Sequence, residues 1–179
     1  MLRVVPAAIL LSVVVTPLAA QGTAPMSENA SVAAVRTFWD MMTGYVTQSA
    51  QDMPEDKYGY RPTPEVRSFG ELIGHVAGAQ NMIGAVAMGE QPKAEDDIEK
   101  SVKGKAKLIE ALKASTAYCA RAYEQADAAT RAGVELFGQK MTRFHALTLN
   151  AVHNGEHYGN IVTYLRINGM VPPSSRGGM

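Results

Sequence analysis

The hydrophobic positions along the chain fall at helical intervals in four stretches, separated by segments rich in proline, glycine and charge. In the first, from about Asn29 to Ala50, Val32, Val35, Phe38, Trp39, Met42, Tyr45 and Val46 recur at three- and four-residue steps and predict a broad apolar face. Pro54, Pro62 and Pro64 then forbid continuous helix. A second helix opens at Ser68-Phe69-Gly70-Glu71, an S-x-x-E capping box in which the serine hydroxyl and the Glu71 carboxylate each satisfy an otherwise orphaned backbone N–H. It continues to about Met88, with Leu72, His75, Val76, Ala79, Met82, Ile83 and Val86 facing inward.

After a polar connection, Gly89 to Asp97, the pattern resumes near Ile98, breaks at Gly104 and is strongest from Lys105 to Gln125, with its seam on Leu108, Ile109, Leu112, Ser115, Thr116, Cys119, Ala122 and Tyr123. Ala126 to Lys140 is weakly patterned. The last helix runs from about Thr142 to Asn168, where Asn168-Gly169, with Pro172 and Pro173 beyond, makes a helix stop. No useful length alternates as a strand would, so four amphipathic helices predict an all-α four-helix bundle, a fold that builds ligand and metal sites along its seams.

The first residues do not belong to that pattern. Met1 to Ala20 has a positive start at Arg3, an apolar run from Val4 to Val15, a break at Pro17 and then Leu18-Ala19-Ala20, the layout of a secretory signal cleaved after Ala20. Residues 1–20 are therefore expected to be a signal peptide, 21–28 a flexible leader, 29–173 the bundle and 174–179 a disordered tail, in a periplasmic or secreted protein with no membrane insertion once the signal is removed. Lys+Arg and Asp+Glu both number 17. Without a basic stripe to displace counterions from phosphates, a nucleic-acid partner is set aside. Cys119 is the single cysteine, which excludes an internal disulfide and a C-x-x-C-H haem attachment; on its seam it reads as a small buried apolar residue.

Candidate chemistry enters with the histidines. His153 and His157, four apart, project from one face of the last helix, and stepping along that face reaches Ala146, Leu149, Ile161 and Tyr164. His75 repeats the anomaly on the second helix. Three neutral imidazoles buried together each need a partner, whereas a divalent ion satisfies all three at once, so His75, His153 and His157 are the candidate metal ligands. His145 lies about 80° around the helix from His153 and is left out. His153-Asn154-Gly155-Glu156-His157 also satisfies H-x-x-E-H, in which the glutamate is a general base, but that architecture needs a further carboxylate downstream and none follows Glu156. Glu156 is the candidate catalytic residue, and Glu71 and Tyr164 are the other acid–base groups within sequence reach.

MPEDKYGYRPTPEVRSFGELIGHVAGAQ, with HNGEHYGNIVTYLRINGMVPPSS far downstream, resembles the DinB-like metalloenzymes of the DinB/YfiT group over essentially the whole chain after the leader. The carrying features are the histidine of the second helix, the H-x-x-x-H of the last, and the ending Tyr164-Leu165-Arg166 through Gly169 to Pro172-Pro173; Asn160 stands where the family often has Gln. The resemblance implies an up-down four-helix bundle with His75, His153 and His157 holding a divalent ion, zinc or nickel foremost, with iron or manganese as further choices. Three protein ligands leave a coordination position for water or substrate, as in a catalytic site. The expected function is metal-dependent chemistry on a small-molecule substrate, by thiol-dependent transfer or metal-assisted hydrolysis. The alternative is a non-catalytic periplasmic metal-binding bundle, and a homodimer is left open.

Overall fold

A computed structural model describes residues 27–177; the expected signal peptide, most of the leader and the last two residues lie outside that range. Four long helices carry the fold: α1 (Ala30–Asp52), α2 (Phe69–Met88), α4 (Lys105–Ala120) and α5 (Arg143–Ile167), with a five-residue helix α3 (Asp97–Ser101) before α4. Among the described residues no helix is long and apolar enough to cross a membrane. The caps follow the sequence. Ser68 accepts from the Glu71 N–H while the Glu71 carboxylate accepts from the Ser68 N–H, α2 ends on Gly89 in the left-handed conformation, and Gly104, at φ 87°, separates α3 from α4.

The bundle stands as expected, but its helices do not alternate strictly in direction. Gly70 lies against Leu108, Gln80 against Ser115, Gly84 against Cys119 and Met88 against Arg121, so α2 and α4 run parallel. Thr43 meets Asn154 and Tyr45 stacks on Tyr158, so α1 and α5 also run parallel to each other. Val32 and Trp39 share one apolar cluster with Ile83 and Val86, and Val46 and Ala50 share the other with Phe69 and Ile73, which makes α1 antiparallel to α2. The direction is therefore up, down, down, up. A parallel neighbour demands a connection that returns the length of the bundle, and residues 89–104, including α3, make that return along α2.

Between the two apolar clusters lies a buried polar layer centred on Gln80. Its Oε1 accepts from the Trp39 indole at 3.0 Å and from Asn154 at 3.4 Å, and its Nε2 lies 3.4 Å from both Ser115 and Thr116, so this one side chain touches all three other long helices. Asn154 also donates to Thr43 at 2.9 Å.

Three expectations need correction. Gly133–Leu136 (β1) and Gln139–Thr142 (β2) form an antiparallel hairpin around Phe137-Gly138, in a segment read from the sequence as a connection with no strand. Both turn residues have positive φ, as a two-residue hairpin requires, but Phe at the first position hides the usual Asn-Gly or Asp-Gly signature. Phe38, placed on the apolar face of the first helix, is 62% exposed. Ser174 and Ser175, expected in a disordered tail, sit in a 3-10 turn, where Ser174 bonds the Tyr158 hydroxyl and Arg176 pairs with Asp52 at 2.7 Å.

The returning segment presses on α2 where α2 has no side chains. A Cβ at Gly74 would lie 2.9 Å from Glu99 Cα, and one at Gly78 would overlap the Glu95 carbonyl oxygen. Gly44, exposed on α1, has nothing within 4 Å of such a Cβ. Gly78→Ala is expected to destabilise the protein by about 1–3 kcal/mol through forced displacement of the backbone. Gly44→Ala should stabilise it by about 0.5–1 kcal/mol through helix propensity alone. Urea unfolding of the two variants checks the pair, and equal effects would refute the close approach.

Candidate metal centre

His75 comes from the middle of α2 and His153 and His157 from successive turns of α5, and the packing of α2 on α5 points all three inward. His75 and His157 are buried, at 5% and 7% exposure, and His153 is nearly so. Their Nε2 atoms form a triangle with sides of 3.1 Å (His75 to His157), 3.2 Å (His75 to His153) and 3.0 Å (His153 to His157). Nitrogens about 2.1 Å from a common ion stand roughly 3.0 Å apart when they subtend right angles and roughly 3.4 Å apart when tetrahedral. The triangle therefore has the size of one face of an octahedron. The donor set fits a divalent ion: three neutral ring nitrogens converge on one point, and these are the atoms that could hold a metal among the described residues.

The sequence did not identify the carboxylates that meet this triangle. Glu95 Oε1 lies 3.8 Å from Nε2 of both His75 and His153, over one edge of the triangle and farther from the nitrogens than they are from each other. Glu99 Oε2 faces His75 Nδ1 at 3.5 Å, and both atoms are buried with no other partner. Glu99 Oε1 accepts from Arg67 Nε at 2.9 Å, which fixes the carboxylate behind the ring. When His75 Nε2 serves as a ligand, its Nδ1 carries the proton and needs an acceptor, the role Glu99 is placed to fill. Both glutamates ride on the returning segment, and the clearance left by Gly74 and Gly78 lets it come this close. The pair Gly74 and Gly78, four residues apart on one face of α2, is the trace of this approach in the sequence.

The other sequence candidates lie elsewhere. Glu156 is on the exposed face of α5, outside the groups gathered at the triangle; its influence is the favourable field of its charge on a protonated His153. Glu71 is taken up by the capping box and by Arg61, whose guanidinium lies 2.9 Å from its carboxylate. The Tyr164 hydroxyl donates to the Arg67 backbone carbonyl at 2.6 Å. His145 is exposed, with its N–H capped by Thr142. Cys119 is fully buried, and burial pushes its thiol up to about 12, so it stays protonated and unreactive.

Burial is the main cause that drives the ring pKa values down, to about 4 for His75 and about 3 for His157, and it depresses His153 as well. The nearby Arg67 charge and the neighbouring imidazoles add to it at His75 and His157. Unfolded, these rings take up protons near about 6.5. In the interval between, the unfolded chain binds more protons than the folded one, so this contribution to stability is complete above the unfolded value and is lost as pH falls through the folded values. Melting of metal-free protein is therefore expected to drop steadily from pH 6.5 to pH 4, with a shallower drop in His157→Gln, whose side chain takes no charge. Parallel curves for the two proteins would contradict the assignment.

A sequence profile of the DinB superfamily matches residues 38–161. A search of curated proteins returns no match. Among solved structures, a DinB-like protein from Bacillus cereus superimposes with a TM-score of 0.69 at 15% identity, covering 82% of this chain and 97% of its own. A DinB-like protein from Bacillus subtilis gives 0.64 at 20% identity, covering 82% and 99%. A mycothiol-dependent maleylpyruvate isomerase gives 0.60 at 17% identity over 73% of this chain, which spans 60% of the isomerase. These structures share the fold, and the profile spans more than half the sequence, including all three histidines: the chain belongs to the DinB superfamily.

Proposed function

We propose that this protein is an exported, divalent-metal-dependent enzyme that activates a water or thiol nucleophile against a small molecule. The observation that carries the reading is the octahedral-face spacing of the three Nε2 atoms, with a carboxylate over one edge. That spacing suits an ion accepting six ligands, such as nickel, iron or manganese, as well as zinc with an expanded shell. When bound, the ion supplies Lewis acidity, which acidifies a water or thiol and polarises a carbonyl.

The chain's own residues supply the rest. Glu95 Oε1 takes the proton the nucleophile releases. Burial raises the pKa of this carboxyl above the ordinary range, toward the working pH of a general base. Glu99, braced by Arg67, holds the His75 ring in one tautomer and orientation. Thiol-dependent chemistry has support in the likeness to the mycothiol-dependent isomerase. Export favours hydrolysis, because low-molecular-weight thiol pools are intracellular.

One variant series tests the site. His157→Ala should lose stoichiometric metal, since two ligands remain, and His145→Ala should keep it. Glu99→Ala should weaken metal affinity by about 10–100-fold and Glu99→Gln by less, because the amide oxygen still accepts from Nδ1. Glu95→Gln should retain metal and lose about 100-fold or more in turnover across a panel of thiol-transfer and ester-hydrolysis substrates. Full metal in His157→Ala, or full turnover in Glu95→Gln, would refute the assignment. The leader is tested separately: the exported protein should begin at Gln21, and a mass corresponding to an intact Met1 in the exported fraction would overturn the localisation.

A further inference from the structure

A cleft of about 600 Å³ opens beside the histidine triangle, with His157 and Glu99 in its wall. Its size suits a small molecule. Arg67 reaches into it from the loop before α2, and Asn160 and Thr163 face it from successive turns of α5. We propose that this cleft is the substrate site and that Arg67 selects a substrate bearing a carboxylate, so that the anion rests on the guanidinium while the reacting part of the molecule lies at the triangle. This deepens the function proposed above and rests on it.

Arg67 is held in place from both ends. Its backbone carbonyl accepts from the Tyr164 hydroxyl at 2.6 Å and its Nε donates to Glu99 at 2.9 Å, so both ends of the residue are anchored. The Nη1 and Nη2 hydrogens have no partner among the described residues, and the side chain is 42% exposed. An anchored guanidinium with its outer edge free is preorganised for two parallel hydrogen bonds to a carboxylate. The guanidinium is also near the chemistry, since the Glu99 carboxylate that accepts from its Nε at 2.9 Å faces His75 Nδ1 at 3.5 Å.

Asn160 and Thr163 are exposed and make no side-chain hydrogen bonds within the described residues, which leaves an amide and a hydroxyl for a bound molecule. Two acids share the cleft. Glu99 is already matched by Arg67 and faces His75. Glu65 is exposed at the mouth, where water and salt screen its charge.

The test is calorimetric titration of cobalt(II)-loaded protein with acetate, benzoate and maleate, each against its own amide, with the visible cobalt spectrum followed in parallel. At least one acid should bind tenfold or more tightly than its amide, roughly the strength of a charged hydrogen-bonded pair. With cobalt held at saturation, Arg67→Gln should erase that preference and Arg67→Lys should keep part of it. If no acid is preferred over its amide, or if Arg67→Gln binds the preferred acid as tightly as the native protein, the proposal is overturned. Should the chain take up no cobalt, the metal-dependent reading falls by itself. The same titrations on the metal-free chain, native against Arg67→Gln, then still decide whether the cleft selects carboxylates.

Discussion

The structure turns on one steric constraint: the chain between α2 and α4 must run back along α2 at backbone contact. Because α2 and α4 are parallel, the connection cannot be a short turn, and the path it takes is open only because Gly74 and Gly78 present no side chains to it. That close approach puts Glu95 and Glu99 onto the histidines, and it is where topology becomes chemistry. A side chain at either glycine would meet the backbone that carries these carboxylates, whereas the three imidazoles come from α2 and α5 themselves. The ligands and the groups that orient or assist them thus depend on different parts of the fold.

The electrostatics of the centre follow from this layout. Three imidazoles share a low-dielectric pocket with an arginine nearby, so protonation is opposed by burial first and by positive charge second. Two carboxylates balance that field from the same direction, the side of the returning segment. The cleft opens beside the centre between Glu99 of that segment and His157 of α5, so an incoming molecule meets the imidazoles from the His157 side.

What the sequence revealed was whatever repeats along a single helix. The inward stripes of α2 and α5 exposed His75, His153 and His157, because an imidazole on an apolar seam stands out against its neighbours. The capping box at Ser68 and the break at Gly104 are equally local and were equally legible. Glu95 and Glu99 were not, since nothing local distinguishes them from the other acids of a polar connection and their role arises from a contact with another helix. The direction of α4 was hidden for the same reason: an apolar stripe says which face is buried but not which way the helix runs. Glu156 drew attention by matching a motif, yet its side of α5 faces solvent.

The polar layer around Gln80 bears on how the centre would behave toward cations. Gln80 lies little more than one turn beyond His75, and Asn154 directly follows His153, so their hydrogen bonds to each other and to α1 and α4 lock α2 and α5 against sliding right beside the imidazoles. A shift of either helix by one residue would break several of these buried bonds together. The distances between the ring nitrogens are thereby set by the protein's own framework and not by the cation they receive. Discrimination among ions then works as a fixed gauge: a cation whose preferred ligand spacing departs from this one must bear the misfit itself, because the helices do not yield to accommodate it.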